Sequence, residues 1–258
     1  MIREPAAAGT FYPANLTTLK EMISGYFKGP MGGEAKGLVA PHAGYVYSGA
    51  VAALAYSTLP KDTRRIFIFG PNHTGMGSPL AYTRESFKTP MGIIDVDEIA
   101  ERFEGSMVVD DPSAHRYEHS IEVHLPFLQY ALEDFKIVPI VMGMQDPITA
   151  REVGTLVGDL MENRDVIIAS TDFSHYAPEK EAHEKDSKAI DAILAKDPEK
   201  LYEVVGKYDI SMCGYGCVAT MLHALKNRGG EAKLLKYATS GDVEPMERVV
   251  GYGAIVIF

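Results

Sequence analysis

Cysteine is nearly absent: the chain has two among 258 residues. Cys213 and Cys217, four apart in a Gly-rich helix start, suit reduced thiols in a reducing compartment better than a disulfide framework. Basic charge is also scarce. Lys and Arg number 25 against 35 Asp and Glu, which leaves a formal net charge of -10 and a sequence pI near 5.3. Nucleic acids and anionic membranes both demand a surplus of positive charge, so neither is an expected partner. No apolar run approaches the roughly 18 residues of a membrane helix. Met1-Ile-Arg-Glu-Pro lacks the basic and apolar regions of a signal peptide. The expectation is an acidic cytoplasmic protein. No stretch reads as a linker either, so residues 1–258 are expected to form one domain, with 46% hydrophobic residues to fill its core.

What the chain does have is an alternation of apolar strands and helical patterns. An extended arm from Ala6 to Pro13 precedes Leu16 to Phe27, where Leu16, Leu19, Ile23 and Phe27 fall at helical spacing behind a candidate N-cap, Asn15. Continuous apolar runs at Gly37 to Ala40, Arg65 to Gly70, Lys136 to Met142 and Asp165 to Thr171 read as strands buried on both faces. Leu80 to Thr83 reads as a peripheral strand, and Lys233 to Thr239 and Val249 to Phe258 close the chain. Helices are predicted over Ala50 to Tyr56, Asp95 to Phe103, Ile148 to Met161, Pro178 to Ala195 and Pro198 to Val205. Two more are predicted, one from about Glu118 with a kink at Pro126 and one from Cys213 to Asn227, stopped by Gly229-Gly230. The alternation predicts an α/β layered fold with a mostly parallel or mixed central sheet flanked by helices.

The buried strands share an ending. Gly37-Leu-Val-Ala runs into Pro41-His42-Ala-Gly-Tyr45, Arg65 to Gly70 into Pro71-Asn72-His73, and Asp165 to Thr171 into Asp172-Phe-Ser-His175; Lys233 to Thr239 ends in Ser240-Gly241-Asp242. Loops leaving the C-terminal ends of parallel strands gather along one sheet edge, so His42, His73, Asp172, His175 and Asp242 are predicted to converge. Two neutral imidazoles and a carboxylate make a facial triad suited to divalent iron, and zinc uses the same ligand types. A further, uncoordinated histidine is suited to acid-base work. The ligands lack the compact spacing of an HExxH motif, and any one of these histidines alone could cap a loop by bonding to backbone. Cys213 and Cys217 read more readily as small buried hydrophobes at a tight helix start than as ligands or redox groups, His115, His183 and His223 as surface residues, and Met142 and Met144 as core.

A series of motifs sharpens this reading. Arg3-Glu4-Pro-Ala-Ala-Ala-Gly9-Thr-Phe-Tyr-Pro, Ala40-Pro-His42-Ala-Gly-Tyr45, Gly70-Pro-Asn-His73, Glu118-His119-Ser-Ile-Glu-Val-His124-Leu-Pro126 and Ser170-Thr-Asp172-Phe-Ser-His175, taken in order, resemble the Memo family. That family is similar in fold to class III extradiol (LigB-type) dioxygenases, α/β proteins that bind non-haem iron(II). The resemblance implies His42 and His73 as metal ligands, His175 as the catalytic base with Asp172 beside it, and Glu118, His119, His124 and Tyr45 around the pocket. It implies a third ligand from the loop after the penultimate strand. That loop, Tyr237 to Val243, holds no cysteine, so Asp242 is expected there, although an ungapped match puts Val243 in that place. Iron(II) is the expected ion, with zinc or copper, or no metal, as alternatives. Three functions follow: an iron-dependent oxidoreductase of dioxygenase type, a binding or scaffold protein that takes a peptide or small molecule in an inherited pocket, or a metal-dependent hydrolase. In microbes the family resemblance also implies association with AMMECR-type and radical-SAM proteins.

Overall fold

The structure is a computed structural model that describes residues 1–228 and 230–258; Gly229, expected to help stop the last helix, lies outside the described residues. In chain order the strands are β1 (Ile2–Arg3), β2 (Gly37–Ala40), β3 (Arg65–Pro71), β4 (Leu80–Tyr82), β5 (Ser86–Thr89), β6 (Gly92–Ile94) and β7 (Val109–Asp110). They continue with β8 (Lys136–Met142), β9 (Asp165–Ser170), β10 (His175–Ala177), β11 (Ala232–Thr239) and β12 (Val249–Ile257). The helices are α1 (Leu16–Tyr26), α2 (Tyr45–Tyr56), α3 (Pro112–His115), α4 (Leu125–Ala131), α5 (Pro147–Leu160), α6 (Glu179–Leu194), α7 (Pro198–Tyr208) and α8 (Tyr215–Ala224).

A mixed central sheet carries the fold, in the order β10-β12-β2-β9-β3-β8-β4-β7, with β11 on the free side of β12. Its middle is parallel: β2 pairs β9, β9 pairs β3, and β3 pairs β8. These are the four continuous apolar runs, and their side chains alternate between two cores. Val39, Phe67, Phe69 and Ile167 pack on the face covered by α5, α6, α7 and α8, with Val153, Val157, Ile193, Val218 and Met221. Leu38, Ile66, Ile68 and Ile168 pack on the other face against Leu19, Ile23, Ala52, Tyr56, Phe127 and Leu128 from α1, α2 and α4. A strand with both faces covered cannot show polar alternation, which is why these runs look uniformly apolar. No helix among the described residues is long and apolar enough to cross a membrane.

Several boundaries differ from the sequence reading. α2 begins at Tyr45, not Ala50, because Gly44 leaves the αR region just before it and nothing between them breaks the helix. Asp95 to Phe103 contributes only a 3-10 turn over Glu98–Phe103. No helix starts at Glu118: the chain passes from α3 through a 3-10 turn at Glu122–His124 into α4. Pro126 produces no kink there, since it sits in the first turn of α4, where its missing N–H is not needed. His175 begins a short strand, β10, paired to β12.

The N-terminal arm is tied down by one buried carboxylate. Glu122 accepts from the N–H groups of Ala6 (2.8 Å) and Ala7 (2.9 Å), from the Tyr12 hydroxyl (2.5 Å) and from Arg3 Nη1 (2.6 Å). Arg3 uses its other nitrogens on the carbonyls of His115 (2.6 Å) and Glu118 (2.7 Å). His115, expected on the surface, is only 2% exposed beneath this arm, while Met144, expected in the core, is 43% exposed.

Candidate metal centre

Strand register decides which side chains meet. Ala40 pairs with Ser170, and Phe69 with Ala169, so β2, β9 and β3 end level with one another. Their next residues are Pro41-His42, Thr171-Asp172 and Asn72-His73. Cys213 reaches the same edge from the turn that leads into α8. Its backbone N–H bonds to the Asp172 carbonyl at 3.3 Å, and the Gly214 N–H bonds to Thr171 Oγ1 at 2.9 Å.

His42 is buried. Its backbone N–H donates to Asp172 Oδ1 at 2.9 Å, and its Nδ1 lies 2.7 Å from Ser170 Oγ. Its Nε2 faces Cys213 Sγ at 3.3 Å and Asp172 Oδ2 at 3.9 Å. The His73 ring stands edge-on to it, 5.0 Å away between centroids. One donor atom from each of His42, His73 and Cys213 lies within 4.8 Å of the other two.

His73, Glu118 and His119 make a second group within the same 4.8 Å limit. The Glu118 carboxylate, however, is already filled. Oε2 accepts from the N–H groups of His73 (2.5 Å) and Thr74 (3.3 Å), and Oε1 from the Ser120 N–H (2.9 Å) and His73 Nδ1 (3.0 Å). Burial alone would raise this carboxyl; the hydrogen bonds from His73 and Ser120 and the nearby imidazoles outweigh it and hold it at about 2. An ionised carboxylate only accepts, so the His73 proton is on Nδ1 and its Nε2 keeps a lone pair. Glu118 therefore fixes the orientation of the His73 ring, as outer carboxylates do at metal-bound histidines. Gly70 lets this loop close on β3: a Cβ there would lie 2.5 Å from Ser120 Oγ.

His119 forms a wall, stacked on His73 at 4.7 Å and on Phe11 of the arm at 4.3 Å. Burial lowers it to about 4, with Glu118 pulling the other way. His175 is partly buried; its N–H donates to Ser211 Oγ at 2.7 Å and its Nδ1 lies 2.8 Å from the Ser211 carbonyl. A carbonyl has no proton to give, so Nδ1 donates and Nε2 of the neutral ring is a free base. Burial raises the Asp172 carboxyl above its ordinary range, against the His42 N–H and the neighbouring imidazoles of His175 and His73.

Two imidazole nitrogens and a sulfur are donors for a borderline or soft transition ion such as iron(II), zinc or copper. Burial pushes the Cys213 thiol up, and the Asp172 carboxylate beside it adds to the effect. A bound cation would supply the charge that lets it ionise. The residues present thus fit a metal, with one change from expectation. Asp242 belongs to neither donor group: it is exposed, and its Oδ2 accepts the Thr239 N–H at 2.7 Å to close the Ser240–Asp242 turn. Val243 is exposed as well. The third donor atom near His42 and His73 is the sulfur of Cys213, which is partly buried, whereas Cys217 is fully buried as a small hydrophobe. Tyr45 and His124 also move, from lining the pocket to lying behind it. Both are buried; the Tyr45 hydroxyl donates to the Val123 carbonyl at 2.6 Å, and His124 is held between Tyr56 and Ser170.

The family model described as "Memo-like protein" matches residues 3–256. The chain belongs to the Memo-like family. A MEMO1 family protein of Methanosarcina acetivorans is 52% identical, with 99% of each chain aligned. One from Archaeoglobus fulgidus is 46% identical, again over 99% of each, and one from Methanocaldococcus jannaschii is 42% identical over the same shares. The crystal structure of an uncharacterized protein from Escherichia coli K12 shares the fold, with a TM-score of 0.55 at 12% identity, covering 85% of this chain and 98% of that one. For this Memo-like chain the family motifs take on separate physical jobs. The Arg3 to Pro13 motif is the arm that carries Phe11 to the pocket, Glu118-His119 orients and walls, and His124 belongs to the support behind.

Proposed function

We propose that this Memo-like protein is a mononuclear non-haem metal protein of oxidoreductase type, with His42, His73 and Cys213 as its ligands. The observation that carries the reading is the meeting of two imidazole nitrogens and a sulfur from three separate loops, within 4.8 Å of one another, with the Nδ1 of each histidine engaged by another side chain. Three protein ligands leave positions for exogenous molecules, and an iron(II) ion held there would supply electron transfer and Lewis acidity. The chain's own groups would then handle the proton. His175, with Nδ1 on the Ser211 carbonyl, would accept it on Nε2, and Asp172, whose carboxyl burial raises, stands beside His42 to take part. Phe11 stacks on His119, which in turn stacks on His73, so the two rings would cover one side of the donor cluster. A zinc hydrolase is the second reading, favoured by the thiol, because zinc accepts nitrogen and sulfur donors equally well.

Anaerobic titration tests the proposal. Iron(II) is expected to bind at one equivalent per chain, with His42→Ala and His73→Ala abolishing binding while circular dichroism stays unchanged. Air admitted to the loaded protein is expected to oxidise the iron in the wild type. Full iron affinity in both variants would remove the ligand assignment. Exclusive retention of zinc, with no response to oxygen, would favour the hydrolase.

A further inference from the structure

Behind His42 lies a closed group of four polar residues, Ser170, Ser120, His124 and Tyr56, none of them more than 1% exposed. Ser170 Oγ is its centre. It stands 2.7 Å from His42 Nδ1, 2.6 Å from His124 Nε2 and 2.7 Å from the Ser120 carbonyl oxygen. A hydroxyl offers one proton and two acceptor positions, and a carbonyl offers no proton. If Ser170 gave its proton to either imidazole, the buried Ser120 carbonyl would lose its 2.7 Å partner and keep only the neighbouring His124 ring as a donor, and an under-satisfied buried acceptor costs up to about 1–3 kcal/mol. The proton therefore goes to Ser120, and both imidazoles must donate to Ser170. His124 satisfies the same logic at its other end, where its Nδ1 faces the Tyr56 hydroxyl: with Nε2 protonated, Nδ1 accepts from Tyr56.

We propose that Ser170 is a tautomer lock for His42, a positioning residue that keeps the imidazole proton on Nδ1 and the Nε2 lone pair turned to the donor cluster. The lock has something to oppose. Free histidine in water favours the proton on Nε2, and in this pocket Asp172 Oδ2, at 3.9 Å, and Cys213 Sγ, at 3.3 Å, both lie on the Nε2 side. A proton drawn there would block the ligand atom. His73 has its own counterpart in Glu118, but a carboxylate is an obligate acceptor, whereas a serine becomes one only because Ser120 takes its proton. The purpose of the lock rests on the metal reading; the tautomer itself is a property of the metal-free protein, so the two can fail separately.

Long-range proton–nitrogen NMR of the 15N-labelled, metal-free protein reads the tautomer directly. The wild type is expected to show a protonated Nδ1 and a bare Nε2 on His42. Ser170→Ala is expected to move the proton to Nε2 and to weaken zinc binding by about ten- to a hundredfold, the usual scale for an outer-shell change. Tyr56→Phe is expected to leave His42 unchanged, because Ser120 still claims the Ser170 proton. A wild-type His42 protonated on Nε2 would overturn the proposal, and this result needs no variant to fold. A Ser170→Ala protein that keeps the proton on Nδ1, or that switches tautomer with zinc affinity intact, would overturn it too. A wild type with the Nδ1 proton that binds no metal would support the lock and sink the metal reading.

Discussion

Glu122 and Arg3 form the most heavily loaded contact outside the site. Each is almost fully buried, and the carboxylate holds four donors from the arm. Glu122→Ala would leave the guanidinium buried without its partner, a change that costs about 3–5 kcal/mol in comparable pairs. Urea denaturation is expected to show a loss of that size, with His119 losing Phe11 from its face as the arm lifts. His115 governs a different property. Burial and the nearby Arg3 charge lower its pKa to about 3, while Asp111, Glu118 and a bond to the Ala81 carbonyl work in the opposite direction. The unfolded chain, with an ordinary value near 6.5, binds the extra proton between those limits. The stability tied to neutral His115 is thus complete above pH 6.5 and is lost as pH falls toward 3. His115→Gln is expected to flatten the acid limb of a stability-versus-pH curve by one proton, about 1.4 kcal/mol per pH unit. An unchanged slope would show that His115 is not held neutral.

Among the elements, α8 matters most for chemistry, because its leading turn carries Cys213. Gly214 permits its approach to β9: a Cβ on residue 214 would run into the Ser170 carbonyl oxygen and lie 2.8 Å from the Thr171 Cβ. Gly214→Ala is expected to push the turn off the strand and cut metal affinity by roughly a hundredfold or more, since misplaced ligands bind poorly. Gly206, inside α7, is the control, because a Cβ there would meet no described atom within 4 Å. Gly206→Ala is expected to stabilise the protein by about 1 kcal/mol and leave metal binding alone. Elements of this kind differ in how far the sequence reveals them. The four parallel strands are legible because burial on both faces makes an apolar run, and α1 because its spacing and Asn15 cap agree. β10 is not: three residues with no periodicity become a strand only because β12 offers an edge. The Glu118 segment misleads for a similar reason, its apolar spacing being satisfied by turns packed on Gly70.

At the scale of the whole molecule, the parallel topology places His42, His73 and Asp172 along one edge, and that much follows from strand endings alone. The third donor does not, because Cys213 meets His42 across 171 positions of chain, through packing of α8 that no local pattern encodes. Asp242 looks equivalent in sequence, yet its carboxylate is spent on its own turn. The ligand set of His42, His73 and Cys213 is therefore what a measurement has to decide. X-ray absorption spectroscopy of the metal-loaded protein tests it most directly. One sulfur scatterer at about 2.3 Å and two imidazoles at about 2.0–2.1 Å are expected around zinc, with the sulfur lost in Cys213→Ser and retained in Asp242→Asn. A shell of nitrogen and oxygen without sulfur, or one that changes with Asp242 instead, would contradict the account.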